Sequence, residues 1–367
     1  MKIDSKKNSR EMPLFSCGVE FNNKLYLASI NNNELYEYDW DNDILRYVAL
    51  FQNEKDMPYL YRTCILYNGK AWFIPQLAEN IAIVDLVTFE MEYVPLEYNW
   101  IEEECTLKCA SAGVYEGHYL YIVPYDIDCI TLIDMDKKDI KVIHDIKKRG
   151  EWYTDAFYYK NHLYCIPWIA DQILKIDIST GKIENLEWKF GQKQYGQTVM
   201  DRENETVWFS PAEADEILKL ELTCNAWSKI SMEEFDNRNG RGGIASFYGK
   251  MVGNKVFILP FKLNHILEID RRNNKITAYD YEYSMTVTPF FKSLYSNALY
   301  TIVEYTNLIF HYSKEKDTFE VRKPLIENDK NYIDMECEKM QLQLKNEGIV
   351  KERRVMGIQE FLEKVVL

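Results

Sequence analysis

The residues best suited to ligand chemistry are aromatic, basic and acidic side chains in the segments that link predicted strands. Trp and Tyr faces stack on sugar rings or anchor a peptide, while Arg and Asp add charged hydrogen bonds. Arg, Trp and Tyr are also the usual anchors of protein interfaces. The candidate binding residues are Arg62, Asp126, Asp128, Trp152, Tyr153, Trp168, Asp171, Tyr195, Arg238, Arg241, His265 and Tyr305, with Asp215 beside them. Ordinary loop packing is the competing interpretation for each.

Motifs that carry catalysis or hold a metal are missing from the sequence. It contains no Gly-x-Ser-x-Gly, no His-Glu-x-x-His and no EF-hand ligand spacing. None of the eight cysteines forms a Cys-x-x-Cys pair, and the one close pair, Cys105 and Cys109, has no cluster of histidines to join it. We therefore expect no catalytic residue set, no metal and no cofactor. Carboxylates are plentiful, so a hydrolase with paired Asp or Glu side chains stays open.

The elements that must position these residues are read from an internal repeat. An aromatic residue recurs in seven similar strings such as KLYLAS, KAWFIP and HLYCIP: Tyr26, Trp72, Tyr121, Tyr164, Trp208, Phe257 and Tyr300. A proline follows three residues later in five of them: Pro75, Pro124, Pro167, Pro211 and Pro260. Proline has no N–H to donate, so it suits the end of a strand. The period of this repeat is about 45 residues, and a repeat has to be identified before any local element is assigned.

Each repeat contains the signals of four strands. A segment with small residues precedes the aromatic strand, as in Ser16-Cys17-Gly18, and suits an innermost strand where sheets converge. About ten residues after the aromatic comes an apolar run such as the one from Ile173 to Asp177. Asp, Asn and Gly then form a turn, and a fourth strand closes the unit. Four strands repeated radially make a propeller, so we predict an all-β fold of seven antiparallel four-stranded blades over residues 13–325.

The two ends of the chain depart from the repeat. Residues 1–12 are polar and are expected to be a flexible lead. In residues 326–367 two apolar series have helical spacing: Ile333, Cys337, Met340, Leu344, and then Ile358, Phe361, Leu362, Val365. We predict a short C-terminal helical tail. Each blade is contiguous in the sequence and no strand exchange closes the ring, so the tail is expected to hold the first and last blades together. The alternative is a docking or dimerising helix.

Composition limits the partners and the compartment. The formal net charge is −14, from 44 basic and 58 acidic residues, which disfavours nonspecific binding to nucleic acid. The N-terminus has no apolar core of a signal peptide, and no run of 18 apolar residues would cross a membrane. We expect a cytoplasmic protein with reduced core thiols and with no nucleic-acid or membrane partner.

The strings LYCIPWIADQILKIDISTGKI and VWFSPAEADEILKLEL resemble the bacterial seven-bladed propellers of the virginiamycin B lyase and YncE-like group, and more loosely kelch-type propellers. The resemblance spans all seven units at the level of the repeat. The chain lacks the double glycine of kelch repeats. The lyase group uses a Glu and histidines at the channel. The only Glu-x-His here, Glu116-Gly117-His118, falls in a predicted hairpin turn, so the lyase activity is not carried over.

The linking segments of a propeller collect on one face around the central channel, and function usually resides in loops on a rigid scaffold. We predict a non-catalytic scaffold that binds a protein or peptide partner on this face. The alternative is a site at the channel mouth for a small molecule or carbohydrate, either bound or acted on as by a lyase or hydrolase.

Overall fold

A computed structural model describes residues 13–96, 110–124, 129–145, 153–168, 171–190, 194–235, 246–261, 263, 265–280, 290–304 and 306–326. These residues form seven sheets, each containing four antiparallel strands that are consecutive in the chain. Blade one contains β1 (Phe15–Phe21), β2 (Lys24–Ser29), β3 (Glu34–Asp39) and β4 (Ile44–Leu50). Blade two contains β5 (Tyr61–Tyr67), β6 (Lys70–Pro75), β7 (Asn80–Asp85) and β8 (Met91–Pro95). Blade three contains β9 (Ala110–Glu116), β10 (Tyr119–Pro124), β11 (Cys129–Asp134) and β12 (Asp139–Asp145).

The remaining blades follow the same plan. Blade four contains β13 (Tyr153–Tyr159), β14 (His162–Pro167), β15 (Gln172–Asp177) and β16 (Ile183–Glu187). Blade five contains β17 (Tyr195–Asp201), β18 (Thr206–Pro211), β19 (Glu216–Glu221) and β20 (Ala226–Ser231), followed by a 3-10 turn at Glu233–Phe235. Blade six contains β21 (Ser246–Val252), β22 (Lys255–Pro260), β23 (His265–Asp270) and β24 (Ile276–Asp280). Blade seven contains β25 (Phe290–Ser293), β26 (Tyr300–Glu304), β27 (Ile309–Ser313) and β28 (Thr318–Arg322). The predicted all-β, seven-bladed propeller is confirmed.

The repeated aromatics and prolines occupy the strand positions that the sequence predicts. All seven aromatics lie in second strands, and the five prolines are the last residues of β6, β10, β14, β18 and β22. Trp72 and Trp208 are almost completely buried and pack between neighbouring sheets, Trp208 against Ile258 of blade six, for example. The core is therefore a set of apolar layers between blades.

The acidic residue that ends a third strand organises the turn that follows. The Asp177 carboxylate accepts the N–H groups of Ser179 and Thr180 at 2.9 and 3.0 Å. Asp85 accepts the N–H groups of Val87 and Thr88 at 2.9 and 3.1 Å in the same way. A carboxylate that satisfies backbone donors explains why Asp recurs here.

The ring closes through an additional strand that was not predicted from the sequence. The four strands of each blade are contiguous, as expected, but β29 (Leu325–Ile326) leaves blade seven and pairs in parallel with β4 of blade one. Blade one is therefore a five-stranded sheet. Arg322 of blade seven also donates a hydrogen bond to the Trp40 carbonyl of blade one. The expectation that no strand closes the ring is thus corrected.

Some predicted segments lie outside the described residues, including the N-terminal lead at residues 1–12 and the tail beyond Ile326. Among the residues that are described, no helix has the length and apolar character needed to cross a membrane.

Candidate functional site

The inner strands of the propeller place one residue of each blade at the same level of the central channel. Pairing with the second strands defines this level, because the residue lies opposite or beside the second residue after the repeated aromatic. In blades two to six that second residue precedes the strand-ending proline. We call these residues the channel ring: Cys17, Thr63, Ala112, Asp155, Gln197, Tyr248 and Lys292. Only Asp155 in blade four and Lys292 in blade seven bring a charge to this ring. The channel ring lies near the loop face, defined as the face that carries the loops between second and third strands and the links between blades.

Asp155 joins blade four to blade five. One carboxylate oxygen accepts the N–H of Thr198 at 2.6 Å and its hydroxyl at 2.7 Å. Burial raises the pKa of Asp155 to about 6, although the hydrogen bonds from Thr198 and from the Ala156 N–H act in the opposite direction. The carboxyl group thus has a perturbed pKa but is already engaged by the neighbouring blade.

Gln197 repeats this contact one blade further on. Its side-chain oxygen accepts the N–H of Gly249 in blade six at 3.4 Å. Gly249 occupies in blade six the level that Thr198 occupies in blade five, as the strand registers show. In blades four and five, a side chain of the channel ring therefore accepts a hydrogen bond from the inner strand of the next blade. This contact joins adjacent blades and is a structural feature of the ring.

We predict that Asp155→Asn changes the pH dependence of stability. The folded-state pKa of about 6 lies above the unfolded value of 3.8, so the folded protein holds the proton more tightly. This contribution is favourable at low pH and is lost as the pH rises from about 4 to 6. Relative to wild type, Asp155→Asn should therefore gain about 2 kcal/mol in the free energy of unfolding between pH 4 and pH 7. Urea unfolding at both pH values measures the difference.

Asp177→Asn is the control for this prediction. Backbone N–H groups, first that of Thr180, lower the pKa of Asp177, so its variant should show a pH dependence of the opposite sign. Identical pH dependence in wild type and Asp155→Asn would show that Asp155 titrates normally.

Lys292 forms the second charged group of the channel ring. Its ammonium donates a hydrogen bond to the Arg62 carbonyl of blade two and lies 3.8 Å from a Glu304 carboxylate oxygen. The ammonium also lies 5.7 Å from the centre of the Tyr248 ring. Burial raises the pKa of Glu304, and the positive charges of Lys292 and then Arg62 oppose that rise. Burial also raises the pKa of the nearby Cys17 thiol to about 11, which keeps it protonated at neutral pH.

The predicted binding residues occupy several positions on the loop face. Arg62 is the second residue of β5 and contributes to the Lys292 cluster. Tyr153 and Tyr195 begin their inner strands and pair with Pro167 and Pro211, with 4% and 0% of their surfaces exposed. These two tyrosines therefore pack in the apolar layers between blades.

The other described candidates lie further from the inner strands. Trp168 is partly buried and Asp171 is exposed between β14 and β15, and Asp215 is exposed before β19. His265 begins β23, and its Nδ1 lies 2.6 Å from an Asp280 carboxylate oxygen. The remaining candidates lie outside the described residues: Asp126, Asp128, Trp152, Arg238, Arg241 and Tyr305.

The opposite end of the channel is crossed by side chains. The Tyr295 hydroxyl of blade seven hydrogen-bonds the Tyr115 hydroxyl of blade three. Arg202 of blade five forms an ion pair with Glu116 of blade three at 2.5 Å. These contacts join non-adjacent blades across the end of the channel opposite the loop face.

Within the described part of the chain, one group of residues with metal-ligand types lies at the end of the channel opposite the loop face. His118, Asp134 and Asp136 have ligand atoms within 4.8 Å of one another. The Asp134 carboxylate already accepts two backbone N–H groups and the Lys137 ammonium. The His118 carbonyl accepts the Met135 N–H just as the Asn161 carbonyl accepts that of Ile178 in blade four. The position of His118 therefore recurs in the turns of other blades, which favours a structural role.

Comparison with known proteins identifies the fold. No protein-family model matches the chain, and no curated protein matches it significantly. A solved structure of streptogramin B lyase is similar, with a TM-score of 0.61 and 14% identity over 80% of this chain and 92% of the other. Virginiamycin B lyase from Staphylococcus aureus has a TM-score of 0.58 and 13% identity over 79% and 92%. Kluyveromyces lactis Hsv2 has a TM-score of 0.53 and 11% identity over 85% and 98%. At such low identities these likenesses show the propeller fold, and they confirm the resemblance seen in the repeats.

The sequence analysis missed Lys292, Glu304 and the contact made by Asp155. For Asp155 a signal was available, because counting nine residues back from the aromatic of its repeat aligns it with uncharged residues such as Cys17 and Thr63. The same count in blade seven gives Phe291, one residue before Lys292. A charge at such a position indicates a contact inside the channel.

Proposed function

We propose that this protein is a non-catalytic binding module that engages a protein or peptide partner through its loop face. The observation that carries the proposal is that the Asp155 carboxyl, which is buried and has a raised pKa, is bonded to Thr198 of the next blade. A general acid or base must reach the proton that it transfers. Here the carboxyl instead stabilises the ring, which favours a rigid platform for binding.

Two further observations support the choice of the loop face. Contacts between blades three, five and seven cross the opposite end of the channel. The partly buried Trp168 lies on the loop face, where an aromatic side chain can anchor a partner.

The net charge of −14 supports our proposal that the partner is neither a nucleic acid nor a membrane. Buried free thiols such as Cys64 and Cys165 support a cytoplasmic location.

A second candidate function is the binding of a small acidic ligand at the channel mouth. The partly buried cluster of Arg62, Lys292 and Glu304 favours it, because charged groups that converge in a channel are typical of ligand sites.

We expect Trp168→Ala to weaken peptide binding at least tenfold while leaving the melting temperature nearly unchanged. Peptides are first selected on the wild-type protein from a displayed random library, and their affinities for both proteins are then measured. The physical reason is that truncating an aromatic anchor removes contact area at the interface. Unfolding of Trp168→Ala would show that the residue serves packing and would contradict the prediction.

The face itself is tested with a photo-crosslinking residue placed at position 168 or, as a control, at position 87. Val87 is 70% exposed in the turn between β7 and β8, away from the loop face. The selected peptides should crosslink from position 168 and not from position 87. Equal crosslinking from both positions would contradict the assignment of the loop face.

A further inference from the structure

One histidine lies in the interface that closes the ring. His311 is the third residue of β27 in blade seven, and the Trp40 ring of blade one lies against it with ring centres 5.1 Å apart. The Tyr300 ring of β26 stacks on the same imidazole at 4.4 Å, with 19° between the two planes. Trp40 and Tyr300 are both buried. A titratable group is therefore part of the contact between the first and last blades.

The same strand position holds paired charges in other blades. His311 lies opposite Tyr300, the repeated aromatic of blade seven. In blades one, four and six the residue opposite the aromatic is charged and has an ion-pair partner: Glu37 with Lys24, Lys175 with Glu184, and Glu268 with Lys255. On the other side of His311, Glu320 of β28 is paired with Lys316. Blade seven thus places a group that can be neutral or charged where other blades stabilise a full charge.

The surroundings of His311 fit a neutral imidazole. Within the part of the chain that the structure describes, its buried Nδ1 has no hydrogen-bond partner. A neutral ring tolerates this position, because Nδ1 can be the nitrogen that carries the lone pair. A protonated ring has an N–H at both nitrogens, so it would bury a donor and a positive charge without an acceptor. The closed interface therefore resists protonation of His311.

The charged groups around His311 act in opposite directions. Glu320 favours a positive charge on the imidazole, whereas Arg322 opposes it. The Arg322 guanidinium already lies 4.5 Å from the centre of the Trp40 ring, so this aromatic face is occupied by another cation. On the blade-one side the next carboxylate in the chain, Asp41, is exposed to water. Burial has the largest effect and lowers the pKa of His311 below its usual value of 6.5.

We propose that His311 makes the closure between blades one and seven sensitive to protons, so that the closure loosens as the medium becomes acidic. In an opened interface the imidazole reaches water and titrates normally, so opening takes up a proton. The stabilisation by neutral His311 is complete above about pH 6.5 and is lost as the pH falls from there to the lower folded-state pKa. This inference goes beyond the proposed function and does not depend on it.

The protonation of His311 is measured directly by NMR on the full chain. The imidazole Cε1–H resonances are titrated from about pH 8 to about pH 5, and the signal missing from His311→Phe identifies His311. We expect a midpoint below 6.5. A midpoint at or above 6.5 would overturn the proposal, because the closed interface would then not resist the proton.

The loosening of the closure is measured by hydrogen exchange at about pH 7 and about pH 5, corrected for the intrinsic exchange rates. In the wild type the opening constant of amides in β4, β28 and β29 should rise roughly fivefold in acid. His311→Phe keeps an aromatic ring but cannot take up a proton, so it should remove most of this rise. An equal rise in both proteins would overturn the proposal.

His162→Phe is the matched control, at a histidine of blade four whose Nε2 lies 3.9 Å from an Asp177 carboxylate oxygen. It should keep the wild-type response of the closure to acid. If His311→Phe fails to fold, His311→Gln and the NMR midpoint of the wild type still test the proposal. Were His311 only a packing residue, its variants would change the opening constant by the same factor at both pH values, and that result would also overturn the proposal.

Discussion

Gly18→Ala is expected to lower the free energy of unfolding by about 3 kcal/mol, because the inner strand of blade one has no space for a side chain. A Cβ atom at this position would lie 2.3 Å from the Tyr26 carbonyl oxygen and 2.8 Å from a Leu27 methyl carbon. The carbonyl belongs to β2, which is hydrogen-bonded on both sides and cannot withdraw. Urea unfolding followed by fluorescence measures the cost.

Gly249→Ala is the matched control, since Gly249 occupies the same level in blade six. There the nearest atoms to an added Cβ are side-chain atoms, Val199 Cγ2 at 2.7 Å and Ser210 Oγ at 2.9 Å. Side chains can rotate away, so we expect a cost of about 1 kcal/mol. Equal costs for the two variants would show that backbone contact is not what makes Gly18 necessary.

The fold could be predicted because the same short-range sequence features recur from repeat to repeat. A strand-ending proline such as Pro167 and a turn-forming Asp177 act within a few residues of their positions. Each of the seven repeats predicts the same four-stranded unit, and a radial arrangement of seven such units is consistent with all of them. The small residues before each aromatic likewise indicated the innermost strand, and Gly18 shows the physical reason.

The candidate site could be predicted only in part, because its contacts join residues that are distant in the sequence. Lys292 reaches the Arg62 carbonyl across 230 positions, past the inner strand of blade one. No local pattern encodes which blades face each other across the channel. Tyr195 shows a different difficulty, since it lies at the end of an inner strand but is buried. A difference of one position along the strand decides whether a side chain packs between blades or lies in a loop.

Ring closure could not be predicted from the repeat, because the interface between the last blade and the first has no counterpart elsewhere in the chain. The last blade must recognise the first, and the residues that do so differ from their counterparts elsewhere. Trp40 follows β3 of blade one and packs against Tyr300 and His311 of blade seven, with ring centres 5.5 and 5.1 Å away. The Arg322 guanidinium lies 4.5 Å from the Trp40 ring. β29 then extends blade one at its outer edge.

We predict that Trp40→Ala opens this closure and lowers the free energy of unfolding by about 4 kcal/mol. Trp40 is only 6% exposed, so its removal leaves a large cavity between the first and last blades. The guanidinium of Arg322 would also lose the aromatic face on which it lies. Hydrogen exchange should become faster in β4, β28 and β29, because blades one and seven no longer hold each other.

Trp188→Ala separates a closure effect from the loss of any buried tryptophan. Trp188 is also 6% exposed and packs from the end of blade four against Tyr195 and Phe209 of blade five. Its removal should cost a similar free energy, since the buried area and the aromatic contacts are alike. Blades four and five are also joined by the continuous chain and by the Asp155 contact with Thr198, so local opening should be smaller. Equal exchange in β28 and β29 for the two variants would show that Trp40 stabilises the whole propeller and not its closure.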